Sequence, residues 1–293
     1  MSHTTTVPAG LEPTDDHPGQ GRRADVLPPT PGSVRRRLPR IAARGRLRER
    51  PLLVGEIVLV AFLLFGYDRI ASVVNARESA AMRHGWALLR LEHVLHIAVE
   101  LPLNGLVAAH RLLGQGMALY YDFAHGIVTF GVLAALYVFR AQLYRPARNA
   151  LMLINGVALV VFVLLPVAPP RLLSGAGFVD VVVESHTFGS WEAGNSSLSQ
   201  HVDRFASVPS LHVAWAVWVL RCVLASSSSR VLRVLASGHV VLTAGLVIVT
   251  GNHYVVDVLA GIGVAVVALL TTSHARRVFE RVRAAGPAIA NLL

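Results

Sequence analysis

One stretch decides the fold class of this chain: residues 253–272 have the sequence HYVVDVLAGIGVAVVALLTT. Beyond Asp257 the stretch carries no charge, and about twenty helical residues span the ~30 Å hydrocarbon core of a membrane. Comparable apolar stretches lie at 51–72, 118–139, 149–168, 208–226 and 231–250. The sequence therefore predicts an all-α polytopic membrane protein, a bundle of about six transmembrane helices.

The composition supports this class. Charged residues make up 15% of the 293 positions and hydrophobic residues 54%, whereas a soluble domain is about 25% charged. All 27 basic residues are arginine, and they flank the predicted spans, where they orient helices and contact anionic headgroups. Membrane lipids are thus expected partners, and nucleic acid is not. The single cysteine, Cys222, excludes an internal disulfide and a two-cysteine zinc site.

The chain divides into three predicted segments. Residues 1–50 are rich in arginine and proline, lack apolar periodicity and are expected to be a disordered cytoplasmic tail. Residues 51–273 form the membrane-embedded domain. Residues 274–293 are basic and are expected to be a cytoplasmic C-terminal tail.

The arginines of the connections predict the orientation in a cell membrane. The connections at 140–148 and 227–233 are basic, as is the segment after the last span. If these lie in the cytoplasm, both termini do too. Residues 77–111 contain four arginines that would then lie outside, so we interpret 79–112 as one or two amphipathic helices at the outer interface.

This topology brings several polar residues to the outer leaflet. His212 opens the fourth predicted span and His253 the sixth, while Arg171 follows the outer end of the third. Tyr121 and His125 begin the second span on the same side. Polar reactive groups are costly within a membrane and are functional suspects by default. The convergence of these residues predicts one active site at the extracytoplasmic face.

The residue types fit phosphoryl transfer. His253 and Asp257 are spaced i, i+4 and share a helix face, so the carboxylate can fix the imidazole tautomer and leave a basic nitrogen. Such a histidine suits a nucleophile or general base, and His212 suits a general acid. Arg171 and Arg204 are the candidates for binding phosphate, since a guanidinium group does so in a bidentate way.

Simpler interpretations exist for some of these residues. Arg171 can extend toward lipid headgroups, and Tyr121 and His125 can anchor their helix at the interface. His239, alone within a span, is expected to form an interhelical hydrogen bond. Glu92, His96 and Glu100 share one predicted helix face with His93 beside it. That face is either a metal site or, as we expect, a solvated face of an interfacial helix.

Two motifs resemble those of a known family. Residues 206–212 read ASVPSLH and residues 250–261 read TGNHYVVDVLAG. With them, about residues 55–272 resemble the type 2 phosphatidic acid phosphatase superfamily, and most of all its branch with the inositol phosphorylceramide synthases and bacterial relatives. The resemblance implies a six-helix membrane bundle, with a site at helix ends and neither metal nor cofactor.

The resemblance also implies a role for each matching residue. His253 would be the nucleophile that forms a phosphohistidine, and Asp257 would orient it. His212 would protonate the leaving alcohol, and Ser210 would help to hold phosphate.

The chain departs from the family pattern at three places. Leu211 stands where the general family has glycine, which the synthase-like branch tolerates. Leu246 and Val247 stand where a serine–arginine pair is usual, and the first family motif is absent. Arg145-Pro146 mimics the end of that motif but lies at the predicted cytoplasmic end. We therefore expect Arg171 to take over phosphate binding.

The predicted function is a lipid phosphate phosphatase or phosphotransferase. The acceptor is water or a polyol such as inositol, and the sequence hardly separates them. A transporter that uses the intramembrane histidines and aspartate as a proton relay is the alternative, and a catalytically silent membrane scaffold is a third possibility.

Overall fold

The computed structural model of this protein describes residues 51–187 and 204–290. Within these ranges the fold is all-helical, with a 3₁₀ turn at Pro170–Leu172. The helices are α1 (Leu53–Asn75), α2 (Glu78–Val94), α3 (Glu100–Ala108), α4 (Arg111–Phe139), α5 (Ala141–Leu164), α6 (Val181–Glu184), α7 (Leu211–Ser226), α8 (Arg230–Val249) and α9 (Val255–Ala290). The predicted tail at 1–50 lies outside the described residues.

The helices confirm the predicted class of protein. In the described ranges, α4, α5, α8 and the Val255–Ala275 part of α9 are long and apolar enough to cross a membrane. Two shorter apolar helices are Leu53–Phe62, within α1, and α7. Large apolar side chains are exposed on all of these helices, for example Phe62, Ile127 and Leu270, as expected for surfaces that face lipid. The predicted interfacial segment 79–112 forms the two helices α2 and α3.

Two predicted boundaries are wrong because the helices begin earlier. α4 begins at Arg111 instead of 118, so Tyr121 and His125 lie inside a 29-residue helix and do not begin it. α5 begins at Ala141, so the predicted connection 140–148 is helical beyond Arg140. Its basic residues are partly used for packing: Arg148 forms an ion pair with Glu56 of α1. Hydropathy alone cannot distinguish the polar first turns of a helix from a loop, so it placed the start of α5 too late.

α7 lies at the centre of the bundle and contacts α4, α5, α8 and α9. Trp218, fully buried on α7, donates its indole N–H to the Ala147 carbonyl oxygen of α5 at 2.8 Å. Around it the core contains Ile154 of α5 and Ala265 of α9. Because α7 packs on so many neighbours, the residue at its N-terminal end, His212, has a fixed place among four helices.

Candidate active site

His253 lies two residues before the start of α9, and its ring is held from one side. Nδ1 is 2.9 Å from the Ser207 carbonyl oxygen and 3.3 Å from Asp257 Oδ2. A carbonyl oxygen only accepts hydrogen bonds, so Nδ1 must carry the proton and donate it. The other ring nitrogen, Nε2, is then the one with a lone pair. The predicted pairing of His253 with Asp257 is present in the structure.

Asp257 is fully buried in the first turn of α9 and binds several donors. Its Oδ2 accepts the Tyr254 N–H at 3.0 Å and the Ser207 hydroxyl. Its backbone carbonyl accepts the Ser210 N–H at 3.1 Å. A carboxylate with these donors is held in one orientation and stays available to the imidazole N–H. Asp257 thereby links the 207–210 segment to the start of α9.

His212, in the first turn of α7, stands beside His253. The centroids of the two rings are 5.8 Å apart. Tyr121 stacks on His212 with a centroid distance of 4.5 Å, and His125 meets it edge-on at 4.3 Å. The structure therefore brings these four predicted site residues together, although α4 contributes Tyr121 and His125 from its middle.

Arg171 approaches the site from the 3₁₀ turn after α5. Its backbone N–H donates to the Gly251 carbonyl oxygen at 2.9 Å, two residues before His253. Its Nε donates to Asp180 Oδ2 at 3.1 Å, and its side chain is only 5% exposed. Arg171 is also close enough to interact electrostatically with His212. Gly251 has φ of +72°, and an added Cβ would be 3.4 Å from Arg171 Cβ, so glycine suits this close approach.

The two remaining predicted site residues differ in position. Ser210 is fully buried at the N-cap of α7, and its hydroxyl finds no partner among the described residues. Arg204 is exposed, its guanidinium lies 5.9 Å from the Phe205 ring centroid, and its N–H donates to Asn75 Oδ1. Among the described contacts, then, Ser210 belongs to the cluster and Arg204 does not.

Sequence reasoning missed three acidic or hydroxyl partners. Ser207 lies within the ASVPSLH motif, and a hydroxyl beside the predicted site residues could have indicated a partner for Asp257. Glu92 and Glu100 were expected on a solvated face, which is wrong because both are fully buried. The helix breaks between them, where exposed His96 has φ of 57°, so one continuous face does not exist and the conceivable metal site with His96 does not form. Two acidic residues in an apolar environment were the signal that deserved more weight.

The predicted interhelical hydrogen bond of His239 is present in the structure. Its Nδ1 is 2.5 Å from the Tyr120 hydroxyl, which joins α8 to α4. In the described part of the chain, no group of three or more histidine, cysteine or acidic side chains has the arrangement of a metal site.

These helices and this cluster define a polytopic membrane protein with two histidines and an aspartate at neighbouring helix N-termini. A model of the PAP2 superfamily matches residues 86–271, well over half of the chain, and the chain belongs to that superfamily. Membership indicates a membrane enzyme of the phosphatase or phosphotransferase type, acting on a phosphate-bearing substrate. Comparison with curated proteins and with solved structures found no significant match.

Proposed function

We propose that this protein transfers a phosphoryl group from a lipid-linked phosphate to water or to a polyol, through a phosphohistidine at His253. One observation carries the proposal: His253 Nδ1–H donates to the Ser207 carbonyl oxygen and to Asp257. This fixes the tautomer in which Nε2 is unprotonated and nucleophilic.

The reaction follows from the residues around Nε2. The Nε2 lone pair attacks phosphorus, the bond from phosphorus to the lipid oxygen breaks, and His212 gives its proton to the leaving oxygen. Water or an alcohol then attacks the phosphohistidine and returns a proton to His212. His212 is the described proton donor beside His253, with the two ring centroids 5.8 Å apart.

Phosphate binding falls to Arg171 and the start of α7. Arg171 supplies the positive charge, and its pairing with Asp180 holds the guanidinium in place. Ser210 offers a buried hydroxyl, and the first N–H groups of α7 favour an anion, as those of any helix do. Asp257 then needs no contact with phosphate, since its charge serves His253.

A lipid substrate is supported by the cavity next to the histidines. A cavity of about 310 Å³ is lined by His125 and His212, by apolar side chains such as Phe130, Leu133 and Trp215, and also by Glu56, Tyr144, Arg148 and Asn155. An apolar chain that begins at a phosphate near His212 would contact the apolar part of this lining.

The synthase-like motifs favour an alcohol acceptor such as inositol over water. The arginine-rich connections support an orientation with the site at the extracytoplasmic face and both termini in the cytoplasm. Neither the acceptor nor the orientation changes the first step, in which His253 takes the phosphoryl group from the lipid.

The test is a labelling experiment with purified protein in lipid nanodiscs. Phosphatidic acid and an isoprenyl phosphate, each ³²P-labelled, are supplied with and without inositol. We expect acid-labile, alkali-stable label on the wild type and none on His253→Ala. His93→Ala, an exposed histidine on α2, is the control that should label normally. Turnover without any covalent label, or labelling of His253→Ala, would refute the phosphohistidine. Proton flux without consumption of lipid phosphate would favour the transporter.

A further inference from the structure

Two buried glutamates contact the first turn of α9, the helix that carries Asp257. Glu100 Oε1 accepts the Val255 N–H at 3.0 Å, and Glu92 Oε1 accepts the Val256 N–H at 2.7 Å. Both side chains are fully buried. The second oxygen of each carboxyl group, Oε2, has no hydrogen-bond partner among the described residues. Burial of a carboxyl group beside a second one favours the neutral form of Glu92.

The contacts complete the capping of α9. A helix leaves its first N–H groups without intrahelical partners. At α9 the Tyr254 N–H donates to Asp257 Oδ2, and the next two donate to Glu100 and Glu92. Three successive N–H groups are therefore bound by carboxyl oxygens, two of which come from the distant helices α2 and α3. The position of this turn depends on those helices.

The same turn positions the proposed nucleophile. His253 lies two residues before it and Asp257 lies within it, so a shift of the turn changes the distance between imidazole and carboxylate. Neither glutamate touches the histidine ring among the described contacts. Their effect on the site must pass through the backbone of α9.

We propose that Glu92 and Glu100 are a pair of positioning residues that fix the first turn of α9 and so hold His253 against Asp257. The kinetic test of this proposal rests on the proposed function, whereas the amide-exchange test does not.

The charge of Glu92 depends on pH. Burial, followed by the neighbouring Glu100 carboxyl group, raises the pKa of Glu92 to about 8. The other groups facing the pair are Asp257 and Tyr254, and burial followed by the charge of Asp257 raises the pKa of Tyr254, so its phenol stays neutral. Above about pH 8 Glu92 gains a negative charge beside Asp257.

The first test compares Glu92→Leu and Glu92→Gln with the control Glu78→Leu, an exposed residue of the same helix. In Glu92→Leu we expect hydrogen–deuterium exchange at Val255 and Val256 to rise at least tenfold. If the loss of this contact displaces His253 by about 1 Å, kcat of Glu92→Leu should fall roughly 100-fold while KM stays nearly constant. Glu92→Gln should lose less than tenfold, because its amide oxygen still accepts the Val256 N–H. Glu78→Leu should match the wild type.

The second test is the pH dependence of kcat. Wild-type kcat should fall above about pH 8, and this decline should be absent in Glu92→Gln, which has no proton to lose at that position. Wild-type exchange and kcat in Glu92→Leu would overturn the proposal, as would an unchanged alkaline decline in Glu92→Gln. If Glu92→Leu does not fold, the pH profile of Glu92→Gln decides alone. If the wild type consumes no lipid phosphate, the proposed function fails, and amide exchange still decides whether the pair positions α9.

Discussion

Gly261 offers a sharp test of how the two active-site helices fit together. It lies on α9 one turn beyond Asp257, against the backbone of Ser210 at the start of α7. An added Cβ would be 3.3 Å from the Ser210 carbonyl carbon, 3.4 Å from its nitrogen and well under 3.0 Å from its oxygen. Backbone atoms cannot rotate away, so Gly261→Ala must push the two helix starts apart.

The size of the effect follows from this displacement. Restoring ordinary van der Waals contact requires a movement of about 1 Å, and a misplacement of that size costs roughly 100-fold in rate, or about 2.7 kcal/mol in the activation free energy. The free energy of unfolding should fall by about 0–2 kcal/mol, because the ~1–3 kcal/mol cost of overpacking is partly offset by the ~1 kcal/mol by which alanine exceeds glycine in helix propensity.

Gly263→Ala is the matched control, since it lies two residues away on the same helix with no atom within 4 Å of an added Cβ. The assay is release or transfer of labelled phosphate in nanodiscs, with thermal unfolding of each variant measured in parallel. We expect Gly261→Ala to lose about 100-fold in kcat while it remains folded, and Gly263→Ala to keep wild-type kcat. Wild-type turnover in Gly261→Ala would show that the contact between α9 and Ser210 does not position the site.

Three further predictions concern charge and buried hydrogen bonds. Arg171→Lys and Arg171→Ala should both lower kcat/KM, by roughly tenfold and 100-fold, because lysine keeps the charge but not the bidentate geometry; steady-state kinetics checks this, and equal losses would contradict it. Since the pKa of Glu92 is raised from 4.5 to about 8, its contribution to stability is full below pH 4.5 and is lost as pH rises through about 8. The Tm of the wild type should therefore fall relative to that of Glu92→Gln as pH rises across that window. Tyr254→Phe removes a 2.9 Å hydrogen bond to the Ala168 carbonyl oxygen and should destabilise the protein by about 1–3 kcal/mol, measured by chemical unfolding.

The sequence was sufficient where short-range rules decide the structure. The i, i+4 spacing placed His253 and Asp257 on one face because a helix repeats every 3.6 residues. The order of apolar stretches placed His212, His253 and Arg171 at the same end of the bundle, which the structure bears out. Both inferences use only local geometry and the alternation of membrane spans.

The remaining parts of the site depend on contacts between distant segments. Glu92 and Glu100 are bound to residues 164 and 155 positions away. The break between their helices includes His96 with φ of 57°, which no periodicity reveals. Hydropathy also placed the start of α4 too late, because its first turns mix arginine and glutamine with leucine. Tyr121 and His125 were predicted at the site because hydropathy placed them at the start of their helix. They do contact His212, but from the middle of α4.

The segment before α7 contacts His253 and the first turns of α9, and this predicts coupled effects of mutations. Ser207 binds both His253 and Asp257, and Ser210 binds the Asp257 carbonyl and contacts Gly261. Ser207→Ala removes the hydroxyl from Asp257 but leaves the Ser207 carbonyl oxygen, so a loss of about tenfold in kcat is expected. Once Gly261→Ala has displaced the segment, that hydrogen bond is already disturbed. The double variant should therefore lose less than the product of the single losses, by about 0.5 kcal/mol or more in a double-mutant cycle on kcat. Strict additivity would mean that the two residues act on the site independently.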